Sequence, residues 1–149
     1  MKISTKVECG IIALMDIAIN SENGNIVKVA SISKRNNISA KYLEQILPLL
    51  KQAKLIGSVK GASGGYILKK RSSDITLTEI INALDNTILA SSTFNSDLSP
   101  VAAAAIDECL WDPVTSYLHS FSSDITLKSL TDKYNEKQSE LTAEPMYYI

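Results

Sequence analysis

The chain has 149 residues, of which 45% are hydrophobic and 21% are charged. This composition is typical of a soluble globular protein, and it excludes collagen-like, disordered and purely coiled-coil chains. A membrane-spanning helix needs about eighteen apolar residues in a row, whereas Asp16 ends the apolar run at residues 11–15. We therefore expect a cytoplasmic protein with no membrane partner and no conventional export signal.

The cysteine and histidine content argues against an enzyme. Cys9 and Cys109 lie too far apart in the chain to indicate a disulfide framework or paired metal ligands. His119 is the one histidine, which leaves little material for a nucleophile, a base and an orienting acid in one site. We expect no catalytic residues and no metal site.

Charge is divided unevenly along the chain. Residues 1–72 carry twelve Lys and Arg against four Asp and Glu, a net charge of +8. Residues 73–149 carry three cations against twelve acids, a net charge of −9. The basic half predicts contact with a polyanion, and the acidic half predicts a separate role.

The start of the basic half predicts two helices around a short strand. Thr5 and Glu8 have the spacing of a capping box at the beginning of a first helix over 5–20. A turn signal then leads to a short strand at 26–29 and a second helix at 30–36.

Ser39 predicts the N-cap of a third helix, which a tight turn joins to the second. Pro48 lies inside this helix, where we expect a kink. Two helices joined in this way are typical of a helix-turn-helix. The apolar positions of the third helix recur at helical offsets: Leu43, Ile46, Leu47, Leu50 and Ala53.

A β-hairpin is predicted after the third helix, with strands at 56–60 and 66–71 around the glycine-rich turn 61–65. A hairpin in this position is a wing. The glycines allow the backbone to approach a phosphate chain, and nearby cations supply charge. The alternative of a nucleotide-binding loop lacks the required lysine spacing and the following helix. The cations of the wing are Lys60, Lys69, Lys70 and Arg71.

The acidic half predicts further helices separated by a polar loop. Thr76 or Thr78 caps a helix that carries an apolar stripe, and residues 88–100 form a Ser/Asn/Asp-rich loop suited to a hinge or a sensing segment. A long helix then begins at Val101, with Pro113 kinking or splitting it. Its stripe is suited to dimerisation: Ala105, Ile106, Leu110, Val114, Tyr117, Leu118 and Phe121.

The end of the chain predicts a short helix capped by Thr126 and ending near Tyr134. Residues 135–144 are interpreted as a polar linker to the apolar end 146–149, which either docks on a partner subunit or frays. The fold class is therefore mainly α with a small β-hairpin wing. We divide it into a winged helix-turn-helix domain (1–72), a connecting helix and sensing loop (73–100), and a dimerisation helix with a C-terminal tail (101–149).

Several segments resemble the bacterial IscR/CymR transcription regulators of the Rrf2 superfamily. The most specific is the wing pattern, whose glycines and tyrosine stand in order at fixed spacing. The resemblance covers nearly the whole chain. Its segments are Met1–Lys6, Tyr42–Gln45, Ser58–Leu68, Ile75-Thr76, Leu110-Trp111, Ile125–Leu127 and Met146–Ile149.

The resemblance implies a homodimeric winged-helix regulator, most simply a repressor, that binds a palindromic promoter site. The third helix would enter the major groove, the wing would meet the minor groove and the backbone, and the first helix would touch phosphates. The implied DNA contacts are Thr5, Lys6, Lys28, Ser39, Lys41, Tyr42, Glu44, Gln45, Ser58, Lys60, Gly61, Ser63, Gly64, Gly65 and Tyr66. The implied dimer contacts are Ile106, Leu110, Val114, Tyr117, Leu118 and Phe121.

Two departures from the family concern DNA. Val7-Glu8-Cys9 stands where Gly-Arg-Tyr is usual, so an acid replaces an expected phosphate-binding arginine. Lys60 replaces the usual wing arginine, which keeps the charge but loses the bidentate fork.

A third departure concerns sensing. Alignment places the iron-sulfur ligand positions of the family at Thr93, Ser99, Ala105 and Glu108, none of which is a cysteine or histidine. Thiolates normally hold such clusters, so we expect no cofactor. The chain thus resembles the cluster-free branch that regulates cysteine metabolism.

The signal that such a regulator would sense stays open. The alternatives are a protein partner such as a cysteine-biosynthetic enzyme, a small-molecule effector, a degenerate iron-sulfur site, and a thiol-based redox sensor. The redox candidates are Cys9 and Cys109, which we interpret first as buried structural cysteines because acids surround Cys109.

Overall fold

The computed structural model describes residues 2–91 and 97–143. Within these ranges helices dominate, and one antiparallel hairpin is present. The elements are α1 (Thr5–Asn20), α2 (Val29–Asn36), α3 (Ala40–Gln52), β1 (Ile56–Val59), β2 (Gly65–Leu68), α4 (Leu77–Leu84), α5 (Pro100–Ile106), α6 (Asp112–Asp124) and α7 (Leu127–Thr142).

The hydrophobic core lies between α1, α3 and α4, with contributions from the hairpin and the start of α7. The predicted stripe of the third helix is confirmed for its four large side chains, whereas Ala53 is exposed because it is the C-cap. Gly10 on α1 lies against Leu84 of α4, where any Cβ would collide with that side chain. The fully buried residues include Leu14, Ile17, Ile32, Leu43, Ile46, Leu47, Leu50, Ile75, Ile80 and Leu127.

The cap of the first helix lies one residue earlier than predicted. Ser4, not Thr5, is the N-cap, and its Oγ accepts a hydrogen bond from the backbone N–H of Val7 at 3.3 Å. The predicted capping box is therefore wrong, since Glu8 lies one position too far along the helix to pair with this cap.

The helix-turn-helix is confirmed. The second helix ends at Asn37, whose φ of 53° places it in the left-handed region that asparagine tolerates. Ser39 then caps α3, its Oγ accepting a hydrogen bond from the N–H of Tyr42 at 3.1 Å. Ile38 in this turn is buried in the hydrophobic core, so the turn packs directly against the core.

A buried carboxylate fixes α2 against α1. Asp16 on α1 is 7% exposed, and Arg35 binds both of its oxygens, through Nε at 2.8 Å and Nη2 at 2.6 Å. Asn36 donates a further hydrogen bond to Oδ2 at 2.8 Å, and Asn20 donates one to Oδ1 at 3.4 Å. The hydrogen bond to Asp16 raises the pKa of the Arg35 guanidinium, so this cation keeps its charge throughout the working pH range.

In addition to its packing on the core, the hairpin is joined by a β-bridge to the segment that precedes α2. The N–H of Val27 donates to the carbonyl of Tyr66 at 2.9 Å, and the N–H of Tyr66 donates back at 2.8 Å. The short strand expected at 26–29 is thus reduced to one residue, because α2 already begins at Val29. The predicted wing is confirmed, but its strands are shorter than expected.

Two glycine requirements shape the wing. Gly61 has a φ of +108°, a conformation that side-chain-bearing residues rarely adopt. Gly65 lies so close to the carbonyl of Val27 that a Cβ would collide with it. The glycine-rich turn therefore serves the geometry of the hairpin itself.

The long helix of the acidic half is irregular where the sequence predicted an interruption. Residues Asp107–Trp111 form a π-helical turn between α5 and α6, and Pro113 lies in the first turn of α6. The backbone of the flanking residues stays helical, so the widened turn absorbs the proline without breaking the helix. The Oδ1 atom of Asp107 is buried in this turn with no hydrogen-bond partner among the described residues.

The last helix is longer than predicted. It begins at the expected cap, where the hydroxyl of Thr126 accepts a hydrogen bond from the N–H of Ser129, but α7 continues to Thr142. The prediction of a polar linker from residue 135 is wrong for the described residues. Exposed Glu, Lys and Gln there favour helix without an apolar stripe. Residues 144–149, which include the predicted docking tail, lie outside the described residues.

Loss of the Asp16 charge should destabilise the fold. We expect Asp16→Asn to lower the free energy of unfolding by about 2 kcal/mol, because the Arg35 guanidinium loses its counter-charge at the edge of the core. Urea unfolding followed by circular dichroism measures this. The control is Asp132→Asn, which removes an exposed pair with Lys128 and should change stability by less than about 0.5 kcal/mol. Equal effects of the two variants would contradict a structural role for the Asp16 network.

Candidate nucleic-acid interface

The N-terminal half of α3 presents its polar side chains to solvent. Ser39, Lys41, Glu44 and Gln45 are exposed, while the apolar positions between them are buried in the core. Tyr42 is half-buried and packs against the core, so its side chain helps to stabilise the helix. The predicted recognition residues thus share one outward face at the start of a firmly packed helix.

The wing presents a second set of predicted contacts. Lys60, Gly61 and Ser63 are exposed at the tip. Ser58 and Tyr66 lie opposite each other in the hairpin register, and both are half-buried, as are Gly64 and Gly65.

Lys28 lies beside the wing because it follows Val27, which bridges to Tyr66. Its side chain is exposed. The structure therefore joins Lys28 to the surface of the hairpin, although α2 and α3 separate them in the chain.

At the start of α1, Thr5 and Lys6 are exposed. Lys6 lies close to Asp85, which follows α4. The hydroxyl and backbone N–H of Thr87, with a smaller contribution from the charge of Lys6, hold the pKa of Asp85 below its ordinary value. Part of the charge of Lys6 is therefore offset within the protein. Glu8 is exposed further along the helix.

Two of the predicted wing cations are neutralised. Lys70 forms an ion pair with Glu79, and Arg71 forms one with Asp74. Burial raises the pKa of the Glu79 carboxyl, but hydrogen bonds from Lys70 and from the backbone N–H of Thr76 outweigh this, so its pKa lies below its ordinary value. Lys70 and Arg71 are therefore less available to phosphates than their place among the predicted wing cations indicates.

Glu79 also completes a capping box. The hydroxyl of Thr76 accepts a hydrogen bond from the N–H of Glu79, and the carboxylate accepts one from the N–H of Thr76 at 2.9 Å. Of the two predicted caps, Thr76 is the one used. Thr78 instead forms a hydrogen bond at 2.7 Å with Ser122 of α6.

The predicted dimerisation stripe is left open among the described residues. Tyr117 and Phe121 are 72% and 52% exposed, and Leu110 and Val114 are 47% and 42% exposed. Ile106 and Leu118 are half-buried. Four large apolar side chains on one face of a helix form a patch of the kind that marks a protein interface.

No cluster of three or more His, Cys, Asp or Glu suited to a metal ion occurs among the described residues. Of the positions aligned with iron-sulfur ligands, Ser99 is the N-cap of α5, and Ala105 and Glu108 are exposed. Thr93 lies outside the described residues.

The two cysteines differ from the interpretation made from the sequence. Both are free thiols. Cys109 is exposed in the π-helical turn, so its interpretation as a buried structural residue is wrong. Cys9 is half-buried, and burial together with the charge of Glu8 raises the pKa of its thiol. A raised pKa lowers the thiolate fraction, which disfavours Cys9 as a redox sensor.

Sequence reasoning missed the residues that hold the recognition helix in place. Arg35 and Asn36 were counted only as part of the second helix, although they bind Asp16 from that helix. One signal was present, since Asp16 is an acid in the middle of the apolar stripe of α1.

Within the described ranges, no helix has the length and apolar character needed to cross a membrane.

Comparison with known proteins identifies the family. The Rrf2 family model, described as an iron-dependent transcriptional regulator, matches residues 3–133. The HTH-type transcriptional regulator IscR of Klebsiella pneumoniae is 34% identical over 132 residues, which span 89% of this chain and 80% of that protein.

Solved structures agree with this assignment. The structure of CymR, the global cysteine regulator of B. subtilis, has a TM-score of 0.74 and 29% identity, and the match covers 89% of this chain and 98% of that one. IscR of T. potens has a TM-score of 0.69 and 31% identity, covering 93% of this chain and 91% of that one. These relatives are regulators and not enzymes, which confirms the expectation drawn from the histidine and cysteine content. The chain belongs to the Rrf2 family of winged-helix transcriptional regulators.

Proposed function

We propose that the protein is a homodimeric repressor that binds a palindromic promoter site without an iron-sulfur cluster. The observation that carries the proposal is the exposed polar face at the start of α3, beside the wing. An α-helix fits the major groove of B-DNA, and base edges are reached by its N-terminal side chains in this class of motif. Lys41 and Gln45 are the side chains best suited to donate to base edges.

The distribution of charge supports duplex DNA as the ligand. Lys28 and Lys60 are exposed at the wing, and neither forms an ion pair among the described residues. Cations in such positions contact phosphates, which orient the protein on DNA without reading sequence. Binding should therefore weaken steeply with salt.

The open apolar face of α6 supports a dimer. A second copy related by two-fold symmetry would cover Tyr117 and Phe121 with their own equivalents, as expected of an isologous interface. Two recognition helices related by that symmetry read two half-sites, which accounts for a palindrome. A dimer held on a promoter would obstruct transcription, which favours repression as its mode of action.

The chemistry of the side chains supports a cluster-free protein. A methyl group at Ala105 cannot bind iron, and the hydroxyl of Ser99 already accepts a hydrogen bond from the N–H of Ala102 as a helix cap. Exposed Cys109 supplies a single thiol to this region. The likeness to CymR, named as a cysteine regulator, points to the same cluster-free branch.

DNA binding is tested with the promoter region of its own gene and a scrambled fragment of equal length, by fluorescence anisotropy across a salt series. We expect sequence-selective binding by the wild type. Gln45→Ala and Lys41→Ala should each lose about 1–3 kcal/mol of selective binding, because each removes a base contact.

A matched control for this test lies on the same helix. Gln52 is exposed at the far end of α3, and Gln52→Ala should bind both fragments as the wild type does. Equal losses for Gln45→Ala on the promoter and scrambled fragments would remove Gln45 as a base-reading residue. An absence of selectivity in the wild type would overturn the proposed function.

The dimer is tested by placing charge on the open apolar face. We expect the double variant Tyr117→Asp and Phe121→Asp to sediment as a monomer where the wild type sediments as a dimer, because burying two carboxylates is costly. The fold should persist, since both side chains are exposed in a single copy. Ser116→Asp, exposed but off this face, should remain dimeric. A monomeric wild type, or a double variant that stays dimeric, would exclude this interface.

The absence of a cluster is tested on anaerobically purified protein. We expect no visible absorption and no stoichiometric iron or sulfide, because iron-sulfur clusters are normally held by several thiolates. Brown protein with stoichiometric iron, bleached by Cys109→Ser, would show that a cluster is bound through that residue.

A further inference from the structure

A basic concavity lies behind the wing, and Ser58 is the one lining residue that it shares with the predicted DNA contacts. We name it the outer wing groove. It has a volume of about 780 Å³ and lies between the last turn of α3 and the outer face of the hairpin. It is lined by Lys51, Lys54, Ile56, Gly57, Ser58, Ile67, Lys69 and Lys70.

Three of its four lysines are available to a ligand. Lys70 is paired with Glu79, whereas Lys51, Lys54 and Lys69 form no ion pair among the described residues. All three are exposed, and no Asp or Glu lines the groove. The groove therefore carries an uncompensated positive charge on a concave surface.

The backbone holds these lysines in place. Lys54 has a φ of 61°, which reverses the chain directly after α3, and its N–H donates to the carbonyl of Lys51 at 2.9 Å. On the opposite wall, Lys69 lies across Gly57. A Cβ at Gly57 would come within 2.8 Å of Lys69 Cε. Glycine at this position therefore leaves room for the methylene groups of Lys69.

The groove continues the proposed DNA-binding face. Lys51 follows Glu44 by seven residues, nearly two helical turns, so both lie on the same side of α3 and about 10 Å apart along it. Lys69 directly follows the strand that leads away from the tip of the wing. The groove thus lies just beyond the end of the recognition surface and opens in the same region as the wing.

We propose that the outer wing groove binds the phosphate backbone of duplex DNA flanking the operator, independently of sequence. This inference rests on the proposed function. The wide groove suits a continuous polyanion, since duplex DNA carries one charge per roughly 1.7 Å of axis. An acidic protein segment fits less well, because the groove offers no aromatic or arginine side chain to anchor a protein partner.

The test compares two DNA fragments. The first is the shortest fragment that retains selective binding, and the second adds about ten base pairs of random sequence to each end, roughly one helical turn. We expect the wild type to bind the longer fragment more tightly and with a steeper dependence on salt.

The test variant is Lys51→Gln, Lys54→Gln and Lys69→Gln combined. It should keep the preference for the promoter sequence over scrambled DNA on the short fragment, but lose the extra affinity for the longer one. The magnitude of the slope of log K against log salt should fall by about 0.9 for each phosphate contact that the whole complex loses.

Two controls isolate the groove. The variant Lys128→Gln, Lys133→Gln and Lys137→Gln removes the same formal charge from exposed positions on α7 and should retain the full length effect. Lys128 and Lys133 pair with acids of α7, so this variant controls for net charge. Lys70→Gln should also retain it, because Lys70 is already paired with Glu79.

The outcomes separate the groove from the proposed function. If the wild type binds the short fragment selectively but shows no length effect, the proposal for the groove is overturned and the proposed function stands. A length effect that persists in the groove variant, or that is lost equally in the α7 variant, would overturn it too. An acidic protein would then be the occupant to test. No selective binding of either fragment would overturn the function and the groove together.

Discussion

The geometry of the interface depends on one buried carboxylate. Asp16 binds Arg35 and Asn36 at the end of α2, and these residues immediately precede the turn that leads into α3. A short helix of eight residues, α2, is marginal by itself, and Ile32 is its one buried apolar side chain. The ion pair supplies the directional contact that an apolar face of this size cannot. The position of α2, and with it the start of the turn into α3, therefore depends on a polar contact made on α1.

Internal ion pairs decide which part of the basic half is available to a ligand. Arg35, Lys70 and Arg71 are paired with acids of this chain, so a sum of charges over residues 1–72 overstates the interface. The lysines without an ion pair among the described residues include Lys41 on the recognition helix, Lys60 on the wing and three in the outer wing groove. Net charge predicts a polyanion, which is consistent with a family of transcriptional regulators, but only the pairing shows which cations are left for such a ligand.

Local features of the fold were predictable because local physics sets them. The stripe from Leu43 to Leu50 repeats at helical spacing, and Ser39 is a cap by its own chemistry. The glycines of the wing mark a turn for the same reason. The acid that pairs with Lys70 was not predictable, because Glu79 lies in another element and leaves no periodic signal. The second half of α7 was missed since a solvated helix has no apolar stripe to detect.

The candidate site was likewise predictable only where local sequence patterns determine it. The exposure of Lys41 and Gln45 follows from the stripe they avoid, so their place on α3 could be predicted. The grouping of Lys51 with Lys69 could not, because it requires the hairpin to fold back beside the end of α3. Cys109 shows the opposite error, since neighbouring acids indicate nothing about burial and its side chain is exposed.

The connection between the wing and the dimerisation face is packed and not a free linker. Glu79 on α4 holds Lys70 at the end of the wing, and one residue earlier Thr78 forms a hydrogen bond with Ser122 on α6. Thr76, which caps α4, also pairs with Thr126 at the start of α7. One helix of two turns therefore contacts both the hairpin and the helix that carries the open apolar face. Because these contacts connect the winged domain to that face, packing would set the separation of the two recognition helices in the proposed dimer, and with it the spacing of the proposed half-sites.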